Sequence, residues 1–398
     1  MTQRETEGGA LTSRAAWRLP RWQIFFLETV RGDRKGAGSF LVRCGLAAAS
    51  ALYRAAVEAY VALPEMRVRK PLRLPARVIS VGNLTAGGTG KTSACHLIAR
   101  LLSQRGARVA ILSRGYAGRR AGVVSEGKGP VMSPRQAGDE PYLTAAKLEG
   151  VAVIVGKDRC EAGRLACGKL SAQAIILDDG FQYLWLKKDR EILLVDALDP
   201  FGGGPGRAGR LLPRGFLREP ICHMRRAHEI WVTHSDLAHP AELASLQKKL
   251  REHHAAAPIR LSRHRPVSLR ALGEDADVGL EEIRRKAACA LSAIGNPLAF
   301  EKTLERLGAK KVVPARFRDH HEFTGEELVQ LDRELDGEVE AIVTTEKDSV
   351  RLPQVSLSRP VWVLEVSLEV EDAEEEIVER LLGEGPVPSE AEGRYAPG

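Results

Sequence analysis

The stretch ISVGNLTAGGTGKTSACHLIARLL, from Ile79 to Leu102, decides how the chain folds. A run of apolar and β-branched residues enters a glycine-dense turn, passes Gly90, Lys91 and Thr92, and continues in residues with helical spacing. A strand, a glycine-rich loop and a helix in this order form a cradle for phosphates, because the N–H groups of the loop and of the helix start point at phosphate oxygens. The stretch therefore predicts nucleotide binding.

The loop departs from the usual P-loop pattern, G-x-x-x-x-G-K-[ST]. Gly90, Lys91 and Thr92 fit it, but Thr85 stands where the first glycine is expected. Lys91 would neutralise phosphate charge, and the Thr92 hydroxyl would hold Mg²⁺. The predicted nucleotide-binding residues are Thr85, Ala86, Gly87, Gly88, Thr89, Gly90, Lys91 and Thr92.

Composition is that of an ordinary globular protein, with 398 residues of which 44% are hydrophobic and 28% are charged. This length allows two cored domains, at about 100 to 200 residues per domain. The six cysteines are scattered without a CxxC pair, and the histidines do not complete a zinc-type spacing. The pattern argues against a disulfide framework and favours free thiols in the reducing cytosol.

The net charge of +7 is concentrated at the N-terminal end, since residues 1–80 contain 14 Lys and Arg but 6 Asp and Glu. Nucleic acid and an anionic membrane surface both fit such a basic end. The first residues, MTQRETEGG, lack the apolar region of a signal peptide. The longest apolar run nearby is about ten residues, whereas a membrane span needs about 20. We therefore expect no transmembrane span.

Residues 40–63 predict an amphipathic helix, preceded by the aromatic and arginine-rich stretch WRLPRWQIFFLETVR. Such a helix suits a membrane interface, where its apolar face enters the headgroup boundary and its arginines meet lipid phosphates. The alternative is a helix that packs on the protein core. The apolar face comprises Val42, Leu46, Ala49, Tyr53, Val57 and Tyr60, and the other side carries Arg43, Ser50, Arg54 and Glu58.

Short apolar runs alternate with helix-length stretches along the rest of the chain. The first series is ARVISVG, ARVAILS, VAVIVG, AIILDDG, EILLVDA and EIWVTH, and the second is ACALSAIGNP, KKVVPARF, EAIVTTEKD and PVWVLEV. This alternation predicts an α/β fold, in which a mostly parallel P-loop NTPase-type sheet is accompanied by a second, smaller α/β domain and the N-terminal helix.

We divide the chain into an N-terminal extension (1–37), the amphipathic helix with its linker (38–75), a P-loop core (76–269), a second α/β domain (270–384) and a disordered tail (385–398). The charged stretch 270–286 is expected to carry a helix that joins the two domains.

Acidic side chains that suit magnesium follow the run AIILDDG, where Asp178 and Asp179 stand at the carboxyl end of a predicted strand. Asp139 and Glu140 of GDEP precede a predicted helix, and alone they indicate a helix cap. The motif RDHHEF, with His320, indicates a surface turn when it is taken alone.

Taken together and in order, the motifs resemble those of the tetraacyldisaccharide 4'-kinases, the lipid A 4'-kinases of Gram-negative bacteria. The matching pieces run from about residue 40 to residue 353, and Thr85 in place of the first glycine is this family's form of the loop. The pieces are VGNLTAGGTGKT, SRGYAG, GDEPYL, VGKDR, LDDGFQ, VDALDPFG, GRLLPRGFLREP, DHHEF and TTEKD.

The resemblance implies transfer of the γ-phosphoryl group of ATP to the 4'-hydroxyl of a tetraacylated glucosamine disaccharide 1-phosphate, which gives lipid IVA. Asp139 would be the general base, paired with His320 of the second domain, while Lys91 grips the phosphates. Mg²⁺ would be held by Thr92, Asp178, Asp179 and Glu219, and motifs lining the family's site contain Arg114, Gly115, Tyr116, Arg159 and Arg218.

The resemblance also implies a peripheral enzyme on the cytoplasmic face of the bacterial inner membrane, with a lipid disaccharide substrate and no nucleic acid or obligate protein partner. Two departures from the family pattern are the longer glycine-rich loop at 202–209 and Tyr183 where the family commonly has histidine. Two other classes stay open: a different P-loop enzyme acting on a small molecule or forming an amide, and a nucleotide-dependent switch or targeting protein.

Overall fold

The computed structural model describes residues 18, 21–31, 33–64, 66, 70–115, 120–202, 209–274 and 276–382. The predicted tail at 385–398, Tyr116, most of the loop at 202–209 and residues 1–17 of the predicted extension lie outside this part of the chain. The strands are β1 (Arg77–Asn83), β2 (Val109–Ser113), β3 (Gly122–Glu126), β4 (Val151–Val155), β5 (Ala174–Asp178), β6 (Arg190–Asp196), β7 (Glu229–Thr233), β8 (Ile259–Ala271), β9 (Ala287–Ser292), β10 (Lys311–Arg316), β11 (Ala341–Thr345) and β12 (Val361–Val370).

The α-helices are α1 (Arg21–Arg31), α2 (Ala37–Ala62), α3 (Lys91–Gln104), α4 (Pro134–Ala137), α5 (Asp139–Lys147), α6 (Arg159–Lys169), α7 (Pro240–His253), α8 (Pro297–Arg306), α9 (Gly325–Glu334), α10 (Glu346–Ser349) and α11 (Glu374–Leu382). Among the described residues, short 3₁₀ turns lie at Ile221–Arg226, Ser235–Leu237 and Leu280–Ile283.

Two compact units make up the chain. Of the described residues, the P-loop unit comprises those within Leu46–Arg265 and those from Ser367 onward, and the second unit comprises those up to Gly45 and those within Pro266–Val366. The division differs from the predicted one at the C-terminal end, where the segment from Ser367 belongs to the P-loop unit. The reason is packing, because Ile377 and Leu381 of α11 are buried in the same cluster as Ile98 and Leu102 of the P-loop helix α3.

The P-loop unit is built on a sheet with the strand order β8-β7-β6-β1-β5-β2-β4-β3. All neighbours in it are parallel except β3, which runs antiparallel to β4 at the edge. Strand β1 lies between β5 and β6, and its seven residues are buried from Val78 onward. Helices cover both faces, which explains why the strands are apolar without alternation. The predicted α/β class is confirmed.

The second unit has four parallel strands in the order β10-β9-β11-β12. Helix α9 begins at a capping box, in which the Thr324 hydroxyl accepts from the Glu327 N–H and the Glu327 side chain reaches back to Thr324. The predicted helix in 270–286 is wrong: its described residues form a 3₁₀ turn at Leu280–Ile283. Gly273 and Gly279, both at positive φ, interrupt any longer helix.

The contacts of helix α2 show that part of its predicted membrane-facing stripe faces protein. Within the P-loop unit, the stripe that was assigned to the membrane packs on protein, since the Tyr53 hydroxyl donates to the Arg218 carbonyl at 2.9 Å and the Tyr60 ring meets the Trp185 ring edge-to-face. Val42, at the start of the stripe, is exposed. The other large exposed apolar side chains of the helix, Phe40, Leu41 and Leu52, do not belong to the stripe, and Leu52 is 75% exposed. The helix thus has a protein-facing stripe and an exposed apolar face.

The length of α2 also exceeds what the short apolar runs predicted. With 26 residues and an apolar stretch of mean hydropathy 1.4, it is long and apolar enough to cross a membrane by length and composition. This helix is the one candidate among the described residues.

Candidate active site

The candidate site lies at the carboxyl edge of the parallel sheet in the P-loop unit. Neighbouring parallel strands end at the same edge, so the last residues of β1, β5 and β6, which are Asn83, Asp178 and Asp196, come together there. The glycine-rich loop follows β1 and leads into α3, and Gly90 at φ +81° precedes the first helical residue, Lys91.

Gly90 cannot be replaced without a clash, because a Cβ there would lie 2.7 Å from the His264 ring. The helix start is therefore formed by backbone that packs directly on an imidazole. Next to it, the Thr233 hydroxyl donates to the Thr89 carbonyl at 3.2 Å, so the end of β7 also supports the loop. These contacts hold the loop in one conformation, which pre-organises its N–H groups for an anion.

Asn83 organises the loop from below. Its side chain is completely buried, and its amide nitrogen donates to the hydroxyls of Thr89 (2.9 Å) and Thr85 (3.4 Å). Its amide oxygen accepts from Lys91 Nζ at 3.2 Å and from Arg218 Nη2 at 2.6 Å. One buried amide thus joins the loop hydroxyls to the two cations of the site.

Thr85 has a structural reason to replace the usual glycine. It forms an isolated antiparallel bridge with Leu217, so its backbone is extended and leaves room for a side chain. On either side of it, Ala86 N donates to Phe216 O at 2.7 Å and Arg218 N donates to Leu84 O at 2.7 Å. The loop is therefore paired with the segment that carries Arg218.

Arg218 closes the site with a forked contact, which we call the Arg218 clamp and which comprises Arg218, Asp179 and Asn83. The two terminal nitrogens of the guanidinium bind the two carboxylate oxygens of Asp179 at 2.9 and 2.5 Å, and Nη2 also reaches Asn83. Lys91 Nζ lies 3.7 Å from the same carboxylate. Two cations therefore face a single acidic group where phosphates are expected to bind.

The two adjacent aspartates have opposite electrostatic environments. Burial, together with the charges of Glu140 and Asp179, raises the pKa of Asp178 to about 7 despite the nearby Lys91. Burial also disfavours the charged form of Asp179, but the hydrogen bonds from Arg218 and the charge of Lys91 outweigh it and hold the pKa of that carboxyl well below its usual range. Carboxyl groups thus crowd the edge of the sheet beside the phosphate cradle.

This crowding fits a divalent cation. A Mg²⁺ ion in a nucleotide site usually takes one or two carboxylates, phosphate oxygens and waters, so it needs no protein cage. The described residues contain no cage of three or more His, Cys, Asp and Glu side chains. Asp178 has an unfavourably placed negative charge that a cation would compensate, and Thr92 stands in the first turn of α3.

Glu219, the other predicted magnesium ligand, has different partners. Its buried carboxylate oxygen Oε2 accepts from His223 Nδ1 at 2.7 Å and from Arg226 Nη2 at 2.8 Å. The other ring nitrogen of His223 lies 3.1 Å from Glu58 of helix α2. The structure therefore places Glu219 in an ion-pair network, and its role as a metal ligand stays a prediction.

The remaining predicted residues of the P-loop unit lie around the same edge. Asp139 and Glu140 open helix α5, and the charge of Glu140 acts on Asp178. Arg114 and Gly115 follow β2, and the charge of Arg114 acts on Arg159. The structure does not describe Tyr116.

Arg159 is buried, and its place in the substrate site stays a prediction. It is 4% exposed, and its terminal nitrogens donate to the carbonyls of Gly156 at 3.2 Å and Asp178 at 3.3 Å. Its guanidinium lies 5.9 Å from the ring of Tyr183, whose hydroxyl donates to Asp158 at 2.9 Å. Arg159 and Tyr183 therefore fix the turn after β4 and the end of β5.

The second unit holds the DHHEF and TTEKD motifs. His320 adopts a left-handed backbone conformation with φ +59°, and its Nε2 lies 3.3 Å from Lys347 Nζ. The same ammonium is 3.3 Å from Asp319. The structure thus brings the two motifs together, and His320 as the partner of Asp139 stays a prediction.

Two site residues escaped the sequence analysis. Asn83 is the last residue of β1, a position that touches whatever the following loop binds, but asparagine at a strand end is also common in turns. Glu140 alone indicates a helix cap, and only the structure, in which α5 packs on β4 and β3, shows its charge acting on Asp178.

Comparison with known proteins gives one consistent match. The family model of tetraacyldisaccharide-1-P 4'-kinase, LpxK, matches residues 42–383. The tetraacyldisaccharide 4'-kinase of Anaeromyxobacter sp. (strain K) is 44% identical over 325 residues, which are 80% of this chain and 84% of that protein. The protein of the same name from Anaeromyxobacter sp. (strain Fw109-5) is 38% identical over 368 residues, 91% of this chain and 98% of its own length.

A solved structure agrees with these relatives. The "apo" form of LpxK from Aquifex aeolicus in complex with ATP has a TM-score of 0.64 and 33% sequence identity to this chain. The match covers 86% of this chain and 98% of the Aquifex chain.

Proposed function

Since the chain belongs to the tetraacyldisaccharide-1-P 4'-kinase (LpxK) family, we propose that it transfers the γ-phosphoryl group of ATP to the 4'-hydroxyl of tetraacyldisaccharide 1-phosphate, forming lipid IVA in lipid A biosynthesis. One observation carries the proposal: Lys91 and Arg218 converge on Asn83 and Asp179 at the mouth of a glycine-rich loop. Two cations and a row of loop N–H groups suit a triphosphate.

Phosphoryl transfer depends mainly on positioning and on stabilising charge, because the enzyme does little covalent chemistry itself. The loop N–H groups and Lys91 hold the phosphates, and Arg218 stabilises the charge that develops on the transferred group. Mg²⁺, when bound, would neutralise negative charge on the phosphates. In this chain Thr92, Asp178 and Asp179 are the residues that would hold it, with Glu140 beside them.

Asp139 is the proposed general base, which orients the 4'-hydroxyl and accepts its proton. Its support is its place: it begins helix α5 immediately before Glu140, whose charge acts on Asp178. The proton moves from the sugar hydroxyl to a carboxylate oxygen of Asp139 as the hydroxyl oxygen bonds to the γ-phosphorus. The bond between the γ-phosphorus and the β–γ bridging oxygen breaks, and ADP leaves. The pairing of Asp139 with His320 remains a prediction from the family resemblance.

The lipid acceptor is proposed to reach the enzyme at the cytoplasmic face of the inner membrane, where ATP is available. All six cysteines are free thiols, as suits a reducing compartment. The exposed apolar face of α2, with Leu41 68% and Leu52 75% exposed, is proposed to enter the lipid interface.

Contacts between α2 and the rest of the P-loop unit favour a position on the membrane surface over a transmembrane one. Between Ser50 and Tyr60 the helix is held on the P-loop unit, and its N-terminal residues 37–49 are too few to cross a hydrocarbon core of about 30 Å at 1.5 Å per residue. The helix is therefore proposed to lie along the surface of the membrane.

The decisive test is transfer of labelled γ-phosphate from ATP to tetraacyldisaccharide 1-phosphate in detergent micelles, with Asp139→Ala alongside. We expect labelled lipid with the wild type and a loss of at least about 100-fold with the variant. Equal activity would refute Asp139 as the base. Hydrolysis of ATP at the same rate with and without lipid, and no labelled lipid, would favour a nucleotide-dependent switch instead.

A further inference from the structure

Helix α2 reaches the Arg218 clamp through one hydroxyl group. The Tyr53 hydroxyl donates to the main-chain carbonyl of Arg218 at 2.9 Å, while the Arg218 N–H donates to the carbonyl of Leu84 at 2.7 Å. The backbone of Arg218 is thus held from two directions, by the phosphate loop and by the N-terminal helix. Its side chain then extends to Asp179 and Asn83.

The next residue is tied to the same helix. Glu219 binds His223 at 2.7 Å, and His223 in turn lies 3.1 Å from Glu58, five residues after Tyr53 in α2. One turn before Tyr53, the Ser50 hydroxyl donates to the Leu211 carbonyl at 3.0 Å. These contacts lie along one stripe of the helix. Tyr53 contacts Arg218 directly, and Glu58 reaches the next residue, Glu219, through His223.

Simple docking of a helix would not require this arrangement. The Tyr60 ring already anchors α2 on Trp185, which is not part of the clamp, with ring centroids 6.0 Å apart. The Tyr53 hydroxyl adds little buried apolar area, since it is one polar atom, but it fixes a carbonyl group whose residue supplies the guanidinium. A guanidinium that must meet two groups at hydrogen-bond distance tolerates little movement of its own backbone.

We propose that Tyr53 is a positioning residue for the kinase reaction, which fixes the Arg218 guanidinium on Asn83 and Asp179 and thereby links the seating of helix α2 to the grip on Mg²⁺–ATP. The inference rests on the proposed function, because it assigns a task at the same nucleotide site. It adds a role for the N-terminal helix in nucleotide handling, separate from its contact with lipid.

The test is a double-mutant cycle on the full chain in detergent micelles, read as the Kd of a non-hydrolysable ATP analogue with Mg²⁺. Tyr53→Phe removes only the hydroxyl, and we expect it to raise the Kd by about 3- to 10-fold, as loss of one hydrogen bond implies. Tyr60→Phe is the matched control, because it removes a hydroxyl from the same stripe that lies against Leu184 and Trp185. We expect it to change the Kd by less than about 2-fold.

The second arm places Tyr53→Phe in an Arg218→Ala background. If Tyr53 acts through Arg218, it has no further effect there beyond about 2-fold, because coupled residues are not additive. The inference is overturned by the full effect of Tyr53→Phe in the absence of Arg218, or by equal effects of the two tyrosine variants. Thermal unfolding of each variant confirms that the helix stays folded on the unit.

Failure of the inference and failure of the proposed function give different results. The binding cycle needs no lipid acceptor, so it judges Tyr53 whatever the acceptor proves to be. Labelled-phosphate transfer in the same micelles tests the lipid kinase separately. In that assay Tyr53→Phe is expected to lower kcat/KM for ATP by the same factor while the KM for the lipid stays unchanged.

Discussion

Asn83→Ala is the substitution for which the structure gives the sharpest expectation. The buried amide contacts Thr85 and Thr89 of the loop through its nitrogen, and Lys91 and Arg218 through its oxygen. Alanine removes all of these hydrogen bonds and leaves a cavity beneath the loop. The loop then loses the group that holds its hydroxyls and cations in register.

The magnitude follows from the kinds of bond that are lost. A neutral hydrogen bond contributes about 1 kcal/mol and one to a charged group about 1.5–3 kcal/mol. Lys91 and Arg218 both keep Asp179 as a partner, so we take the low end for those two contacts. The two charged contacts, at about 1.5 kcal/mol each, and the two neutral ones, at about 1 kcal/mol each, give a total loss of about 5 kcal/mol, which divides between folding and nucleotide binding. If about 2 kcal/mol falls on binding, the Kd for Mg²⁺–ATP rises about 30-fold.

Calorimetric titration of the variant with a non-hydrolysable ATP analogue measures the binding part, and chemical denaturation measures the folding part. Gln182→Ala is the matched control, because Gln182 donates one neutral hydrogen bond, at 3.0 Å, to the main-chain carbonyl of Asn83. It should raise the Kd by no more than about 5-fold. A folded Asn83→Ala protein that binds the nucleotide as tightly as Gln182→Ala would refute the assignment of Asn83 as the organiser of the loop.

Three further outcomes are expected. Asp139→Ala should bind Mg²⁺–ATP with a Kd within about 3-fold of the wild-type value while it loses phosphoryl transfer, since only acceptor activation is removed. The same two assays on His320→Ala test its predicted pairing with Asp139. Transfer by His320→Ala at the wild-type rate would contradict that pairing. Leu52→Asp should weaken flotation with anionic liposomes. Arg54→Gln, on the charged side, should weaken flotation less than Leu52→Asp does when both are measured at high salt. Equal flotation of Leu52→Asp and the wild type would place the lipid contact elsewhere. Burial lowers the pKa of His96 to about 3, so below pH 6.5 the unfolded chain binds a proton that the folded chain does not. As the pH falls below 6.5, the free energy of unfolding should therefore decrease by about 1.4 kcal/mol per pH unit from this group. Denaturation at pH 7.5 and at pH 5.5 should show a smaller decrease in His96→Gln than in the wild type, and an identical decrease would contradict the burial of a neutral His96.

The parallel core of the fold was predictable from the sequence. Runs such as AIILD and EILLVD are apolar without alternation because their strands are covered on both faces, and they appear as β5 and β6. Strand β8 was missed for the opposite reason. Its sequence, IRLSRHRPVSLRA, alternates charged and apolar residues and has several half-buried positions, so it lacks the continuous apolar run.

The site was predictable to the level of its motifs, but not of its partners. Lys91 and Asp179 stand in motifs, and the structure places them 3.7 Å apart. The ion pairs of Glu219 with His223 and Arg226 depend on the 3₁₀ turn Ile221–Arg226, which the pattern of apolar residues does not predict. The face of α2 was misassigned because an apolar stripe that packs on protein and one that meets lipid have the same helical spacing.

The place of helix α11 in the core has a consequence for how the protein is made. Ile377 and Leu381 are at most 1% exposed and share a cluster with Ile98 and Leu102 of the P-loop helix, almost 280 residues earlier in the chain. A ribosome that has delivered residues 46–265 has not yet supplied these side chains, so the nascent P-loop unit presents an open apolar surface while the whole intervening segment is synthesised. The apolar core behind the phosphate-loop helix is therefore complete only after α11 has been synthesised.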